Sequence, residues 1–187
     1  GVYLRNGPNP RFGDAGHWFL GAGMVHGVRL QAGKALWYRN RYVRTPGTES
    51  PPSDGGLPDP NAPLCNVSLV QHAGKLLASS EVGFPFEVSP SELSTVGKWD
   101  FQGKLTSSFT AHPRIDPASG EMLAFAYTFE LPFLRYYQVD ATGVLVRNED
   151  IALPARADGW GSKVTMMHDF QITESSVVFM HMPLVLD

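Results

Sequence analysis

The sequence predicts an all-β protein. Nineteen glycines and fifteen prolines leave few long stretches without a helix breaker. Strand–turn–strand units recur along the chain, each with alternating apolar residues around a turn rich in Gly, Asp or Ser. Hydrophobic residues make up 43% and charged residues 18% of the 187, which is typical of a globular domain with a real core.

Five such units are predicted in chain order. They read MVHGVRL-QAGK-ALWYRNRYV (24–43), VSLVQ-HAGK-LLASSEV (67–82), FTAHPRI-DPASGE-MLAFAYTF (109–129), LRYYQV-DATG-VLVRNEDI (134–151) and VTMMHDFQITESSVVFMHM (164–182). The last unit holds two strands around TESS. Short connections of this composition join antiparallel neighbours, so we expect a β-meander.

The segment 46–63, PGTESPPSDGGLPDPNAP, interrupts the strands with six prolines and three glycines. We interpret it as a long surface loop. A flexible linker between two domains is the alternative. Strands of the same style lie on both sides of the segment, which favours a loop within one architecture.

Repeated hairpins are typical of a β-propeller, whose blades take about 40 to 70 residues each. By that estimate the chain holds about three blades; a β-sandwich is the alternative. Three blades cannot close a ring, and their outer edges would be exposed. The sequence begins GVYLRNGPNP, without a methionine or an apolar leader. We therefore expect residues 1–187 to be a partial domain, truncated at both ends.

Composition argues against several classes of partner. Fifteen basic and eighteen acidic residues give a net charge of −3, which does not favour nucleic acid, and no Lys/Arg-rich run favours an anionic membrane. No apolar run approaches the roughly 18 residues of a transmembrane helix. Cys65 is the only cysteine, so no internal disulfide can form. A single cysteine favours a reducing compartment, and we expect a cytoplasmic protein.

Four of the six histidines have ordinary interpretations. We expect His72 to be a solvated turn residue and His181 to be unremarkable. His26 alternates with apolar residues, as a core histidine does. His17 opens an aromatic run, where it could hydrogen-bond a backbone carbonyl.

His112 and His168 differ, because each lies in a predicted strand among apolar or small neighbours. A buried imidazole needs a partner for both nitrogens. A metal can supply one, and a carbonyl or carboxylate the other. By periodicity alone a core histidine is the commoner case, and no Cys pair or zinc motif lies nearby.

At these histidines the sequence resembles the carotenoid cleavage oxygenase family. The resemblance is carried by YLRNGPNP (3–10), HWFLGAGMVHGVRL (17–30), NRYVRT (40–45), HAGKLLASSE (72–81), FTAHPRIDPASGE (109–121) and MMHDFQIT (166–173). It implies an N-terminal portion of a seven-bladed propeller capped by a dome of loops. It also implies a non-haem Fe(2+) held by four histidines, of which His112 and His168 match the first two. The other two would lie further along the family's chain.

The resemblance implies an activity as well: oxidative cleavage of one carbon–carbon double bond of a carotenoid or apocarotenoid, giving two carbonyl products. The partners would be an apolar polyene and O2, with a peripheral membrane contact for substrate uptake left open. A stilbene-cleaving dioxygenase of the same family is one alternative. A non-catalytic relative that binds a polyene is another.

Two further residues match family positions near the iron. Glu81 matches a carboxylate that accepts the N–H of a ligand histidine and so fixes the orientation of its ring. An exposed glutamate at a strand end is the alternative. Val67 matches a position beside an open coordination site, where a plain core valine is the alternative.

Two departures from the family pattern bear on function. The family usually reads HWFDGDGM, and Leu20 and Ala22 stand where it has the two aspartates. The loss of these two aspartates would alter the packing of the loop or reflect a relaxed constraint on this part of the sequence. Stilbene-cleaving members carry a lysine and a tyrosine that engage the substrate phenol. Ser80 and, approximately, Gly47 stand at those positions, which favours an apolar polyene.

Overall fold

The computed structural model describes residues 1–13, 16–17, 19–50, 59–129, 131–153 and 166–181. Within these residues the chain is all-β, with one short helix. No helix among them is long and apolar enough to cross a membrane. The predicted fold class is confirmed.

Four antiparallel sheets follow one another along the chain, and each has its strands in chain order. The first sheet contains β1 (Val2–Asn9), β2 (Ala22–Gln31) and β3 (Lys34–Tyr42). The second contains β4 (Ser68–His72), β5 (Lys75–Ser79), β6 (Phe86–Val88) and β7 (Thr95–Lys98). The third contains β8 (Arg114–Ile115), β9 (Met122–Tyr127), β10 (Leu134–Val139) and β11 (Leu145–Ile151). The fourth contains β12 (Phe170–Ile172) and β13 (Val177–Phe179), and α1 (Pro46–Glu49) follows the first sheet.

Two of the hairpins close on the same Ala-Gly turn. Ala32 and Gly33 join β2 to β3 with φ of 48° and 75°, and Ala73 and Gly74 join β4 to β5 with φ of 46° and 78°. Positive φ at both turn residues matches the right-handed twist of the flanking strands. The predicted QAGK and HAGK turns are confirmed.

The central strands bury both of their faces. On β5, Leu76 packs against the first sheet and Leu77 against the third. On β9, Met122 packs toward the second sheet and Phe125 toward the fourth. Successive side chains of a strand point to opposite faces, so the second sheet lies between the first and the third, and the third lies between the second and the fourth. A two-sheet sandwich would leave one face of each sheet in water. The stacking is that of propeller blades.

Three expectations need correction. The strand predicted from Phe109 begins only at Arg114, because Pro113 before it has no N–H to donate to a ladder. The segment 46–63 opens with α1 rather than with loop, and its residues 51–58 lie outside the described residues. Strands β1, β6 and β7 were not predicted, since two of them are short and β1 contains Gly7 and Pro8.

Candidate metal centre

Glu81, His112 and His168 come together in space. One oxygen of Glu81 lies 3.2 Å from Nδ1 of His168 and 3.3 Å from Nε2 of His112. The two imidazoles meet edge to face, with ring centroids 4.5 Å apart. One ligand atom from each of the three side chains lies within 4.8 Å of the others. The arrangement has the donor types and the spacing of a metal site.

Glu81 lies in a bend just after β5. Ser80 before it is buried and donates from Oγ to the carbonyl of Val82, 2.9 Å away. Gly83 after it has φ of 113°, and a Cβ there would lie 2.7 Å from Pro63. A side chain at residue 83 would therefore push this bend away from its neighbours. The Glu81 side chain is 26% exposed, so it is half-buried rather than a surface glutamate.

His112 lies in a bend two residues before β8, not within a strand as predicted. The segment before it is hydrogen-bonded on two sides. The N–H of Phe109 donates to the carbonyl of Gly83 at 3.0 Å, which ties it to the bend that carries Glu81. The N–H of Thr110 donates to the carbonyl of Phe125 at 2.8 Å, which ties it to β9. These bonds set the position of His112 relative to Glu81.

His168 also precedes a strand rather than lying in one, because β12 begins at Phe170. Met167 before it and Phe170 after it are both buried in the core between the third and fourth sheets. The His168 side chain itself is 56% exposed. The two buried neighbours therefore hold the backbone of His168 in place. The exposed imidazole is not fixed by packing and has room to move.

The His112 ring provides a test of whether a metal fits. Its Nε2 is buried and makes no hydrogen bond to any described residue. A Glu81 oxygen lies 3.3 Å away without the alignment of a hydrogen bond. A buried polar atom without a partner is costly, and coordination to a metal would satisfy it. The residues present fit a bound divalent metal.

Tyr127, at the end of β9, contributes a neutral phenol to this region. Burial raises the pKa of Tyr127 to about 12, and the nearby charge of Glu81 adds to the effect. Both causes disfavour a phenolate. At physiological pH the phenol of Tyr127 stays protonated.

Val67 lies one residue before β4, and its N–H donates to the carbonyl of Ser79 at 3.0 Å. The structure thus places it opposite the strand end that leads to Glu81. It is half-buried. Asn66 beside it is buried, and its side-chain NH2 donates to the carbonyls of Phe19 and Gly21, at 2.7 and 2.8 Å.

The other histidines stay apart from this group. His72 is buried at the end of β4 with Nε2 2.9 Å from the carbonyl oxygen of Gly120, so the expectation of a solvated turn residue is wrong. His26 pairs with the hydroxyl of Tyr38, 2.7 Å away. His17 receives a hydrogen bond from a backbone N–H instead of donating to a carbonyl. His181 is half-buried after β13.

The residues that depart from the family pattern lie elsewhere in the fold. Leu20 is exposed in a bend, and Ala22 is buried at the start of β2. Neither belongs to the group of Glu81, His112 and His168. Gly47 lies in α1, where a Cβ would collide with the carbonyl of Ala62. Position 47 therefore has no room for a side chain.

One feature near the histidines was not predicted. Arg114 and Asp169 form an ion pair, with Nη2 and Oδ2 2.7 Å apart. The sequence does carry a signal for it. A basic residue follows shortly after one candidate histidine, in HPR, and an acidic residue follows the other, in HDF.

Comparisons with known proteins show the family of this chain. The family model described as "Retinal pigment epithelial membrane protein" matches residues 1–187. Carotenoid cleavage oxygenase of Mycobacterium tuberculosis is 41% identical, with 100% of this chain and 38% of that protein covered. Carotenoid 9,10(9',10')-cleavage dioxygenase 1 of Arabidopsis thaliana is 35% identical, with 98% and 39% covered. This chain thus spans about two-fifths of the length of these relatives.

Solved structures show the same relationship. Lignostilbene dioxygenase of Pseudomonas brassicacearum superposes with a TM-score of 0.84 at 32% identity, over 100% of this chain and 42% of that one. A variant of Synechocystis apocarotenoid oxygenase gives 0.77 at 28% identity, over 96% and 42%. The match in fold, the identities above 30% and the family model across all 187 residues lead to one conclusion: this chain belongs to the carotenoid cleavage oxygenase family.

Proposed function

We propose that the complete protein containing this chain is a non-haem Fe(II)-dependent dioxygenase. Its substrate would be a carotenoid or apocarotenoid, and the reaction would split one carbon–carbon double bond. Each atom of O2 would end on one of the two former alkene carbons, giving two carbonyl products. The observation that carries the proposal is the meeting of Glu81, His112 and His168 from three separate segments of the chain.

The distances between these side chains support a role for each of them. Glu81 lies 3.2 Å from Nδ1 of His168, and a proton on that nitrogen would leave the lone pair of Nε2 free for a metal. Nε2 of His112 has no hydrogen-bond partner among the described residues and offers its lone pair. The two imidazoles would supply half of a four-histidine set, with the other ligands outside residues 1–187.

Neutral ligands suit the chemistry. Imidazole is a good ligand for Fe(II), and it leaves the full charge of the ion uncompensated. Bound Fe(II) would supply an open position at which O2 is activated. Val67, opposite the strand end that leads to Glu81, would border that position with an apolar side chain and exclude water from it. A plain core valine remains the alternative for Val67.

The substrate class is inferred from two positions and from the relatives. Ser80 is buried and bonded to a backbone carbonyl, and Gly47 has no room for a side chain. Neither can engage a phenol as a lysine and a tyrosine would. The 41% identical relative is named a carotenoid cleavage oxygenase. Stilbene cleavage is the second candidate, because the lignostilbene dioxygenase structure superposes over the whole chain.

The test removes each candidate ligand in the complete protein. We expect His112→Ala and His168→Ala each to lower bound iron well below one per protein and to abolish cleavage of a carotenoid. His26→Ala is the control, because His26 bonds Tyr38 outside this group and should keep both properties. Iron content is measured by elemental analysis, and cleavage by loss of polyene absorbance.

The outcomes separate the alternatives. Full iron content in both variants would contradict the proposed ligands. Cleavage of a stilbene but not of a carotenoid by the parent would favour the second candidate. Iron binding without cleavage of either would favour a polyene-binding relative.

A further inference from the structure

We propose that Arg114 and Asp169 are positioning residues, a clasp that sets the separation of the His112 and His168 imidazoles across two sheets. This inference rests on the proposed metal site. Arg114 follows His112 by two residues, and Asp169 directly follows His168. The ion pair therefore joins, across 55 residues of sequence, the two short segments that carry the candidate ligands.

Both partners of the clasp are held at more than one point. Oδ2 of Asp169 accepts from Nη2 of Arg114 at 2.7 Å, and Oδ1 accepts from the backbone N–H of Phe170 at 2.8 Å. Nε of Arg114 donates to the carbonyl of Phe170 at 3.3 Å. The planar guanidinium thus bridges a carboxylate and a backbone carbonyl of one segment. Two hydrogen bonds from one planar guanidinium fix its orientation relative to the segment of Asp169 and Phe170, as well as its distance from that segment.

Neither histidine is held by a strand ladder. The strand β8 has two residues and β12 has three, and they belong to different sheets. Both histidines lie before these strands, outside the hydrogen-bonded ladders of the described residues. The His168 side chain is 56% exposed, so packing does not fix its ring. The clasp joins the two segments where neither histidine lies in a strand ladder.

The clasp is better placed than an ordinary surface ion pair. Its side chains are 36% and 28% exposed, and both have additional hydrogen bonds to the backbone. Exposed pairs contribute little because two long side chains must be ordered in water. Here Asp169 is short and already tied to the backbone of Phe170, which reduces that cost.

A fixed separation matters because metal ligands must lie within roughly 0.5 Å of the productive geometry. Without the clasp, part of the metal-binding free energy would be spent on ordering the two segments. Loss of outer supports of a metal site typically lowers metal affinity by about 10 to 100-fold. We expect an effect in that range when either side of the clasp is removed.

The test uses the metal-free complete protein titrated with Co(II), whose visible absorption reports the geometry of its ligands. Arg114→Ala and Asp169→Asn should each weaken Co(II) affinity by about 10-fold or more and change the absorption spectrum. The double variant should be no weaker than the single ones, because the pair acts as a unit. Arg135→Ala is the matched control, since Arg135 and Asp150 form a 2.8 Å ion pair within the third sheet.

Thermal melts of the metal-free proteins separate positioning from folding. The clasp variants should melt no lower than Arg135→Ala. Unchanged affinity and spectrum would overturn the inference, as would a loss of affinity matched by a loss of melting temperature beyond that control. If His112→Ala abolishes Co(II) binding while Arg114→Ala leaves the Co(II) affinity and spectrum of the parent unchanged, the clasp alone is wrong. If the parent and His112→Ala bind Co(II) alike, the proposed site fails and the clasp fails with it.

Discussion

At the scale of single residues, Glu81 is the member of the candidate site that lies beside both histidines. Its carboxylate is half-buried and lies within 3.3 Å of a nitrogen of each histidine. It also contributes to the raised pKa of Tyr127, which keeps that phenol neutral. One carboxylate thus lies beside both imidazole rings and adds to the effect of burial on a neighbouring phenol. Its charge should matter more than its size.

The substitution Glu81→Gln separates these properties. The amide keeps the reach of the side chain but removes the charge that, in the proposed site, would favour a proton on Nδ1 of His168. We expect iron affinity or cleavage rate to fall by about 10 to 100-fold. Stability should change little, since one hydrogen bond contributes about 0.5 to 1.5 kcal/mol net. Iron content, cleavage rate and a thermal melt measure the three quantities.

Glu87→Gln is the matched control. Glu87 pairs with Lys75 at 2.8 Å within the second sheet and is also partly buried. It should leave iron and rate unchanged. Normal iron and normal rate in Glu81→Gln would remove Glu81 from the site.

At the scale of elements, the paired strands β9 and β10 form the centre of the third sheet. Six residues of β10 pair in register with the six of β9, from Leu134 opposite Tyr127 to Val139 opposite Met122. Each strand contains a buried tyrosine whose pKa burial raises to about 12, Tyr127 on β9 and Tyr137 on β10. Burial also raises the pKa of Tyr136 on β10, so this pair of strands carries three phenols that resist ionisation.

These tyrosines predict a loss of stability in alkali. An unfolded tyrosine has a pKa of about 10, so folding favours the protonated phenol. The contribution to stability is complete below pH ~10 and is lost as pH rises toward 12. We expect a loss on the order of 1 kcal/mol per tyrosine near pH 11. Urea unfolding of the complete protein at several pH values measures it.

The variant Tyr137→Phe provides the comparison, because phenylalanine keeps the ring and cannot ionise. Its stability should fall less steeply above pH ~10 than that of the parent. Equal slopes in the two proteins would show that Tyr137 does not carry the effect.

At the scale of the whole molecule, the sheets are held together by the cores between them. Phe109 lies in the core between the second and third sheets and is fully buried. Its ring contacts Phe101, with centroids 5.5 Å apart, and stacks on Tyr137 at 6.2 Å. Since Phe109 is three residues before His112, this core also supports the candidate site.

We expect Phe109→Ala to lower the free energy of unfolding by about 3 to 5 kcal/mol, through lost burial and the cavity left behind. Chemical denaturation of the complete protein measures the change. Val96→Ala is the control, because Val96 on β7 is 64% exposed and its truncation should cost no more than about 0.5 kcal/mol. Similar losses in the two variants would contradict a core shared between sheets.

The sequence by itself determined the local structure of this protein. Strand alternation and the Ala-Gly turns predicted the hairpins, because both depend on residues adjacent in the chain. The resemblance to the carotenoid cleavage oxygenase family, rather than local periodicity, indicated Glu81, His112 and His168, which the structure brings together. The same local patterns could not show where β8 and β12 begin. Pro113, just before β8, has no N–H to donate to a ladder. The side chain of Asp169, just before β12, accepts a hydrogen bond from the backbone N–H of Phe170.

Only the tertiary structure decided which distant residues meet. The burial of His72 against Gly120, the clasp of Arg114 with Asp169 and the contact of Glu81 with both imidazoles each join different sheets or the segments between them. Such contacts depend on how one sheet packs on the next. Strand alternation specifies which residues face inward, but not which inward residue of another sheet each will touch. That choice is made by the cores between the sheets, where the side chains of neighbouring sheets must fit together at close packing.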